Sequence, residues 1–364
     1  MSDTILEARN LVKHFLVNAG VLRPGGTVHA VDGVSLEIRR GETFAIVGES
    51  GCGKSTLARL LMRLLTPTSG EVRFDGTPIS GIRGSDLRQL RRDLQFIFQD
   101  PFSSLNPRLT VGKLIAEPLE LHAPELSAAQ RRGRVADLLA KVGLMPDHAD
   151  RYPHEFSGGQ RQRIGIARAL ASGPRLIIGD EPVSALDVSV QAQVINLLGD
   201  LGRDLDLTLV IIAHDLAVIR HMSDRVAVMY LGQVVETGPT DAVYDTARHP
   251  YTRLLLESIP VAEHGATRRA KPVTGETPSP LNPPSGCRFH PRCLHAQDRC
   301  KSEAPVLNDG AHGVACHFWR EIAETSPRAV PKPRSSGAQT RFDLYRAATE
   351  GETIITRNQQ GSSE

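Results

Sequence analysis

Four groups of residues in this sequence combine types and spacings that could do chemistry. The run Gly48-Glu49-Ser50-Gly51-Cys52-Gly53-Lys54-Ser55, followed by Thr56, fits the phosphate-cradling pattern GxxxxGK[ST]. Its glycines allow unusual backbone angles and close approach of phosphate oxygens, and successive N–H groups at a helix start form an anion nest. In such a loop Lys54 contacts β- and γ-phosphates and Ser55 offers its hydroxyl to Mg²⁺. Cys52 occupies a free position of the pattern and is given no chemistry. Next, Leu176-Ile177-Ile178-Gly179-Asp180-Glu181 is an apolar run ending in two acids. Alone it is a weak signal, since surface acids often follow strands. Beside a phosphate loop, Asp180 suits Mg²⁺ and Glu181 suits a general base that polarises water. Then His214 closes the apolar run 209–213; a lone histidine is commonly structural, but this placement favours a γ-phosphate contact. Last, Cys287, Cys293, Cys300 and Cys316 are spaced C-x5-C-x6-C-x15-C. Zinc sites usually pair ligands with two to four residues between them. Four thiolates also suit an iron–sulfur cluster, whose spacings vary more. Iron–sulfur, zinc and unmetallated thiols are the three readings of these residues.

The elements that must position these groups show in the hydrophobic pattern. Residues 5–17 and 28–38 alternate apolar and polar, as strands of an antiparallel edge sheet do, with a Gly-rich loop from about Asn18 to Thr27 between them. Thr43–Val47 reads as a short buried strand that enters the phosphate loop, and a helix follows from Lys54 to about Leu65. Helical spacing recurs over 110–145, including Val135, Leu138, Leu139 and Val142. Leu176–Ile178 and Leu207–Ile212 read as further buried strands. Strands alternating with helices predict an α/β core around a parallel sheet. Arg83, Arg88, Arg91 and Arg92 are interleaved with Asp and Gln and read as the solvated face of a helix.

Composition narrows the function classes. The 364 residues hold 43 basic and 41 acidic side chains, so no charge imbalance supports nucleic-acid binding. The start MSDTILEARN lacks the apolar run of a signal peptide, and runs such as 209–213 are too short to span a bilayer. The expectation is a soluble chain that meets a membrane only through partners. Composition shifts near residue 260 to a Pro-rich stretch with Pro272, Pro278, Pro280, Pro283 and Pro284, then the cysteines, then a Ser/Pro/Arg/Gln/Gly-rich tail from about Glu324 that reads as disordered. In a reducing compartment the clustered cysteines favour metal ligation over disulfides.

Phe156-Ser157-Gly158-Gly159-Gln160 is similar to the LSGGQ signature of ABC ATPases, with Phe in place of the first Leu. The order phosphate loop, Gln99, Ser157-Gly158-Gly159-Gln160, Asp180-Glu181, Ser184-Ala185-Leu186-Asp187 and His214 resembles an ABC nucleotide-binding domain over residues 4–260. The resemblance implies an α/β P-loop ABC fold with an antiparallel edge sheet and a helical subdomain at about 100–170. It also implies ATP and Mg²⁺ bound through Gly48, Ser50, Gly51, Gly53, Lys54, Ser55, Thr56, Gln99 and Asp180. Phe15 matches the adenine-stacking aromatic. Gln99 matches the Q-loop, which senses Mg²⁺ or the lytic water, and Asp187 matches the D-loop aspartate. Cassettes of this family pair head to tail, so that Ser157, Gly158, Gly159 and Gln160 serve the ATP of the partner.

Further strings resemble the dipeptide/oligopeptide branch of importers: Phe98-Gln99-Asp100-Pro101, Ser104-Leu105-Asn106-Pro107, Glu181 to Gln191, His249-Pro250-Tyr251-Thr252 and Gly286 to Cys293. Nickel importers share much of this pattern. The branch implies a small irregular C-terminal extension over 261–323 whose four cysteines hold a [4Fe–4S] cluster. It also implies a second cassette (a heterodimer is favoured), two transmembrane permease subunits, a substrate-binding protein and a place at the cytoplasmic face of a bacterial inner membrane. A soluble ABC ATPase of translation or repair would carry two cassettes or a long coiled-coil insertion, and neither is present.

Overall fold

The structure, a computed structural model, describes residues 3–17, 25–213, 216–258, 276–308 and 310–325. His214, the Gly-rich residues 18–24, the prolyl stretch up to residue 275 and the tail beyond 325 lie outside the described residues. Residues 1–325 form one unit, so the cysteine segment belongs with the cassette.

The strands are β1 Thr4–Val17, β2 Gly26–Arg39, β3 Thr43–Val47, β4 Ser69–Phe74, β5 Thr77–Pro78, β6 Leu94–Ile97, β7 Leu176–Asp180, β8 Thr208–Ala213, β9 Arg225–Tyr230, β10 Gln233–Pro239 and β11 Gly313–Val314. They form two sheets. One is antiparallel in the order β2-β1-β4-β5; the other runs β11-β10-β9-β3-β8-β7-β6. In the larger sheet β9, β3, β8, β7 and β6 are mutually parallel, while β10 and β11 add antiparallel. β3, β7 and β8 are buried along their whole length, which is why they appear in the sequence as unbroken apolar runs rather than alternations. The parallel pairing aligns the carboxyl ends of β3, β7 and β8. The phosphate loop, the acid pair and the chain toward residue 214 therefore leave the sheet from the same edge.

The helix after β3 covers Lys54–Leu61, one turn shorter than its sequence pattern. Arg63 takes φ 51°, Leu64 and Leu65 both return their N–H groups to the Arg59 carbonyl, and Arg63 turns its guanidinium to the Ser80 carbonyl. Apolar spacing continues past the stop because Leu64 and Leu65 flank the turn that closes the helix. Among the arginines at 83–92, Arg88, Arg91 and Arg92 are exposed on the helix Gly84–Asp93, as expected, while Arg83 precedes that helix as its N-cap.

A helical layer of Val111–His122, Ala128–Lys141 and Gly158–Leu170 packs beside the sheet. Its core includes Val111, Leu114, Ile115, Leu139, Val142, Ile164 and Ile166, all buried. A second core between the two sheets is built from Leu6, Leu11, Val34, Ile38, Phe44, Ile46, Leu57 and Leu61. The C-terminal segment is attached through main-chain pairing: β11 bonds to β10 at Glu236↔Val314 and Thr237↔Gly313. No helix among the described residues is long and apolar enough to cross a membrane.

Candidate nucleotide site

β3 delivers the chain into the loop at Gly48. Two glycines there are required sterically. At Gly48 (φ 156°) a Cβ would lie 2.1 Å from the Met229 carbonyl oxygen, and at Gly53 (φ 105°) one would lie 2.0 Å from that of Ala30. Gly53 is also the N-cap of Lys54–Leu61, so the loop's N–H groups and the helix start converge where a phosphate can be received. Lys54 is only 4% exposed, and its Nζ donates to the carbonyls of Gly48 (2.8 Å) and Glu49 (3.0 Å). The same ammonium lies 4.0 Å from Glu181 Oε1.

Ser55 Oγ donates to Asp180 Oδ1 at 2.8 Å. The two residues expected at Mg²⁺ are thus side by side, each offering an oxygen, as an octahedral oxygen-preferring ion needs. Burial pushes the Asp180 carboxyl above its ordinary value, with the Ser55 bond opposing that rise. Glu181 follows at φ 46°, an angle that a non-glycine residue adopts at some cost and that turns its side chain off the strand line. Gln99 Nε2 donates to Glu181 Oε2 at 2.9 Å, so the end of β6 meets the end of β7 at this acid. The acid pair, the loop lysine, the loop serine and Gln99 are therefore brought together. Phe15 lies on β1, 37% exposed, with Lys13 Nζ 5.1 Å from its ring centroid. His214, expected at the γ-phosphate, falls outside the described residues.

The signature residues sit at a helix start. Ser157 caps Gly158–Leu170: its Oγ accepts from Gln160 N at 3.4 Å, while Gln160 Oε1 accepts from Ser157 N at 3.1 Å. This reciprocal pair is the S-x-x-Q capping box. The serine hydroxyl accepts in it, which leaves its proton free to donate outward. Gly159 is buried, and a Cβ there would lie 2.3 Å from Val190 Cγ1. Phe156, in place of the usual leucine, is 4% exposed. Asp187 is exposed at the N-cap of Val188–Asp204, without a side-chain cap bond.

Sequence reasoning missed how the C-terminal segment meets the phosphate loop. Arg292 grips Glu49 with two bonds, Nη1 to Oε2 (2.9 Å) and Nη2 to Oε1 (3.0 Å), and this pairing raises the guanidinium's proton affinity further. Glu49 N donates to Tyr251 Oη at 2.9 Å, and Thr277 Oγ1 donates to Glu49 Oε2 at 3.0 Å. Arg288 binds both Asp32 on β2 and the Leu231 carbonyl. Around Asp32, His14 Nε2 lies 3.1 Å from Oδ1 and His29 Nδ1 lies 3.6 Å from Oδ2. These three side chains group as metal ligands can, but the Arg288 guanidinium already occupies the carboxylate, so they form an ion-paired joint. Burial works against ionisation of Asp32, yet Arg288 and His14 together hold its carboxyl below the ordinary value.

All four C-terminal cysteines line one cavity, with Phe289, His290, His295 and His317. Gly286 (φ 63°) makes the turn into it, and Cys287 N bonds to the Cys300 carbonyl at 2.8 Å. Burial pushes the Cys287 thiol up, Cys293 to about 11 and Cys316 to about 12. His290 Nδ1 pairs with the Cys287 carbonyl at 2.9 Å and His317 Nε2 with that of Glu303 at 3.0 Å, so these rings are engaged outside a thiol shell. Tyr230, Tyr251 and Phe289 stack as a wall with centroid distances of 4.6, 5.3 and 5.4 Å; Phe289 lines the cysteine cavity and Tyr251 holds Glu49.

A phosphate loop closed by a serine–aspartate pair, a glutamate at the next position and a capped SGGQ helix, on this two-sheet frame, define an ABC nucleotide-binding cassette. The family model described as "ABC transporter" matches residues 31–184, and that described as "Oligopeptide/dipeptide transporter, C-terminal region" matches 235–300. The chain is 55% identical to a probable peptide ABC transporter ATP-binding protein of Sinorhizobium fredii, over 98% of this chain and 100% of that one. It is 52% identical to an oligopeptide transport ATP-binding protein of Bacillus subtilis, over 87% of this chain and 98% of that one. Among solved structures, the dimeric cassette MJ0796 bound to ADP and Pi superposes with a TM-score of 0.58 at 31% identity, covering 65% of this chain and 99% of that one. The chain belongs to the ABC transporter ATP-binding family, in the branch that carries the oligopeptide/dipeptide C-terminal region, and it is an ATPase that powers transport.

Proposed function

We propose that this chain energises import of small peptides: 4–260 is the cassette and 261–323 the cysteine extension, whose last described element is the helix Trp319–Thr325. The observation that carries the cargo is the match of both cassette and extension to relatives named for oligopeptide, dipeptide and di/tripeptide transport, at 48–52% identity. Two permease subunits, a substrate-binding protein and a second, different cassette complete the machine at the cytoplasmic face of the membrane.

The residues divide the reaction as follows. Lys54 leaves the loop carbonyls for the β- and γ-phosphates, where the N–H groups from Gly48 to Thr56, including Ser50 and Gly51, cradle the chain. Ser55 and Asp180 hold Mg²⁺, with Gln99 reaching the same ion. Phe15 stacks on the adenine. Glu181 accepts a proton from the attacking water, and His214 contacts the γ-phosphate. Ser157, Gly158, Gly159 and Gln160 close on the ATP of the partner cassette, with Asp187 between the two sites. Catalysis is by positioning and charge, as in other phosphoryl transfers.

The four cysteines hold a [4Fe–4S] cluster with a structural role. The four thiols line a single cavity, and this supports the reading. Ligation would release the protons that burial holds on Cys287, Cys293 and Cys316, and the metal–sulfur bonds would brace a segment with little core of its own.

Reconstitution with the cognate permeases and binding protein tests the function. ATP hydrolysis stimulated by di- to oligopeptides and uptake of labelled peptide are expected. Stimulation by nickel alone, with peptides inert, would replace the cargo and leave the ATPase role standing.

A further inference from the structure

We propose that Arg292 is a positioning residue for ATP: from the cysteine segment it orients and neutralises Glu49 inside the phosphate loop, and so sets nucleotide affinity. The inference rests on the loop's binding of ATP.

Glu49 is the second residue of a loop that must receive a polyphosphate, yet it carries a negative charge. An unscreened carboxylate there repels the ligand. Arg292 cancels that charge with a planar two-bond grip, the geometry for which a guanidinium is suited. Its side chain is 5% exposed, against 25% for Glu49, so water screens the pair poorly on the arginine side. Tyr251 fixes the Glu49 N–H and Thr277 a carboxylate oxygen, while the Glu49 carbonyl accepts from Lys54 Nζ. One residue of the loop is therefore held at its amide, carboxylate and carbonyl. Two of the four holding groups, Arg292 and Thr277, come from beyond residue 275. Arg292 is in turn fixed by its N–H bond to the Phe289 carbonyl and by the bond of Nη1 to Tyr230 Oη at 3.4 Å.

The test is equilibrium binding of Mg²⁺ and a fluorescent ATP analogue to the full chain. Arg292→Gln should raise Kd about tenfold, within the usual range of site-to-site coupling. Glu49→Gln in that background should recover most of the loss, because the unpaired charge is gone. Arg292→Lys should fall between, keeping charge but losing the fork. Unchanged affinity in Arg292→Gln would overturn the proposal, as would a double variant that binds no tighter than Arg292→Gln. Should Arg292→Gln not fold, the comparison is made in the Arg292→Lys background with the same expected rescue. If the unaltered chain binds no nucleotide, the loop's own role fails instead, which separates the two readings.

Discussion

Gln99 Nε2 and Glu181 Oε2 are joined at 2.9 Å across 82 residues of chain. The bond ties the segment leaving β6 to the acid that follows β7, so a displacement of one reaches the other. Glu181→Gln should lower ATP turnover by about 10²–10⁴-fold, the usual contribution of a general base. ATP binding should survive and ATP-bound dimers accumulate. Phosphate release and light scattering with ATP check this, and sustained hydrolysis would remove Glu181 as the base.

Asp180 carries a carboxyl that burial pushes up, so its ionised form costs folding free energy. Stability from this group is present below its ordinary value and lost as pH rises through the raised one. Asp180→Asn should melt a few degrees higher than the unaltered chain at pH 7–8, at roughly 2–4 °C per kcal/mol. The gain should disappear below about pH 4, where both forms are neutral. Mg²⁺-dependent hydrolysis should be lost at every pH.

Gly159→Ala brings a methyl to 2.3 Å from Val190 Cγ1. Overpacking of this kind costs about 1–3 kcal/mol. Val190→Ala in the same chain should return most of it, as read by urea denaturation. No recovery would show that the cost arises elsewhere than at this contact.

His249 is fully buried, and burial lowers its pKa to about 4. Its Nδ1 accepts from Tyr251 N at 3.1 Å, capping the helix Pro250–Glu257. The unfolded chain therefore binds more protons than the folded one between about pH 6.5 and 4, and stability falls as pH drops through that window. The loss should approach about 3 kcal/mol at pH 4, since a tenfold change in proton affinity corresponds to about 1.4 kcal/mol. Urea denaturation across this pH range checks it. His249→Asn keeps a capping acceptor and should flatten this part of the curve.

Anaerobically purified protein should be brown, with absorbance at about 400 nm, as four-thiolate iron–sulfur sites are. Cys300→Ser should lose the colour and melt lower. A colourless protein with stoichiometric zinc would assign the cavity to zinc.

The frame was legible wherever a local rule forces it. Thr43–Val47 matched its strand residue for residue, because a strand buried on both faces must be apolar throughout. The loop and Asp180-Glu181 could be read because phosphate binding needs fixed residue types at fixed spacing. The helix Lys54–Leu61 ended a turn early because a turn at Arg63, bonded to Ser80, outweighed apolar spacing.

What the sequence by itself determined was the cassette: the GxxxxGK[ST] loop, the acid pair after an apolar run and the SGGQ string are short patterns whose meaning is local. What only the tertiary structure decided was how the cysteine segment joins that site. Arg292 and Glu49 are 243 residues apart, and no periodicity links them. Their contact exists because β11 pairs with β10 and Tyr230, Tyr251 and Phe289 pack together. Ion pairs between distant segments follow from packing, which a linear pattern does not carry.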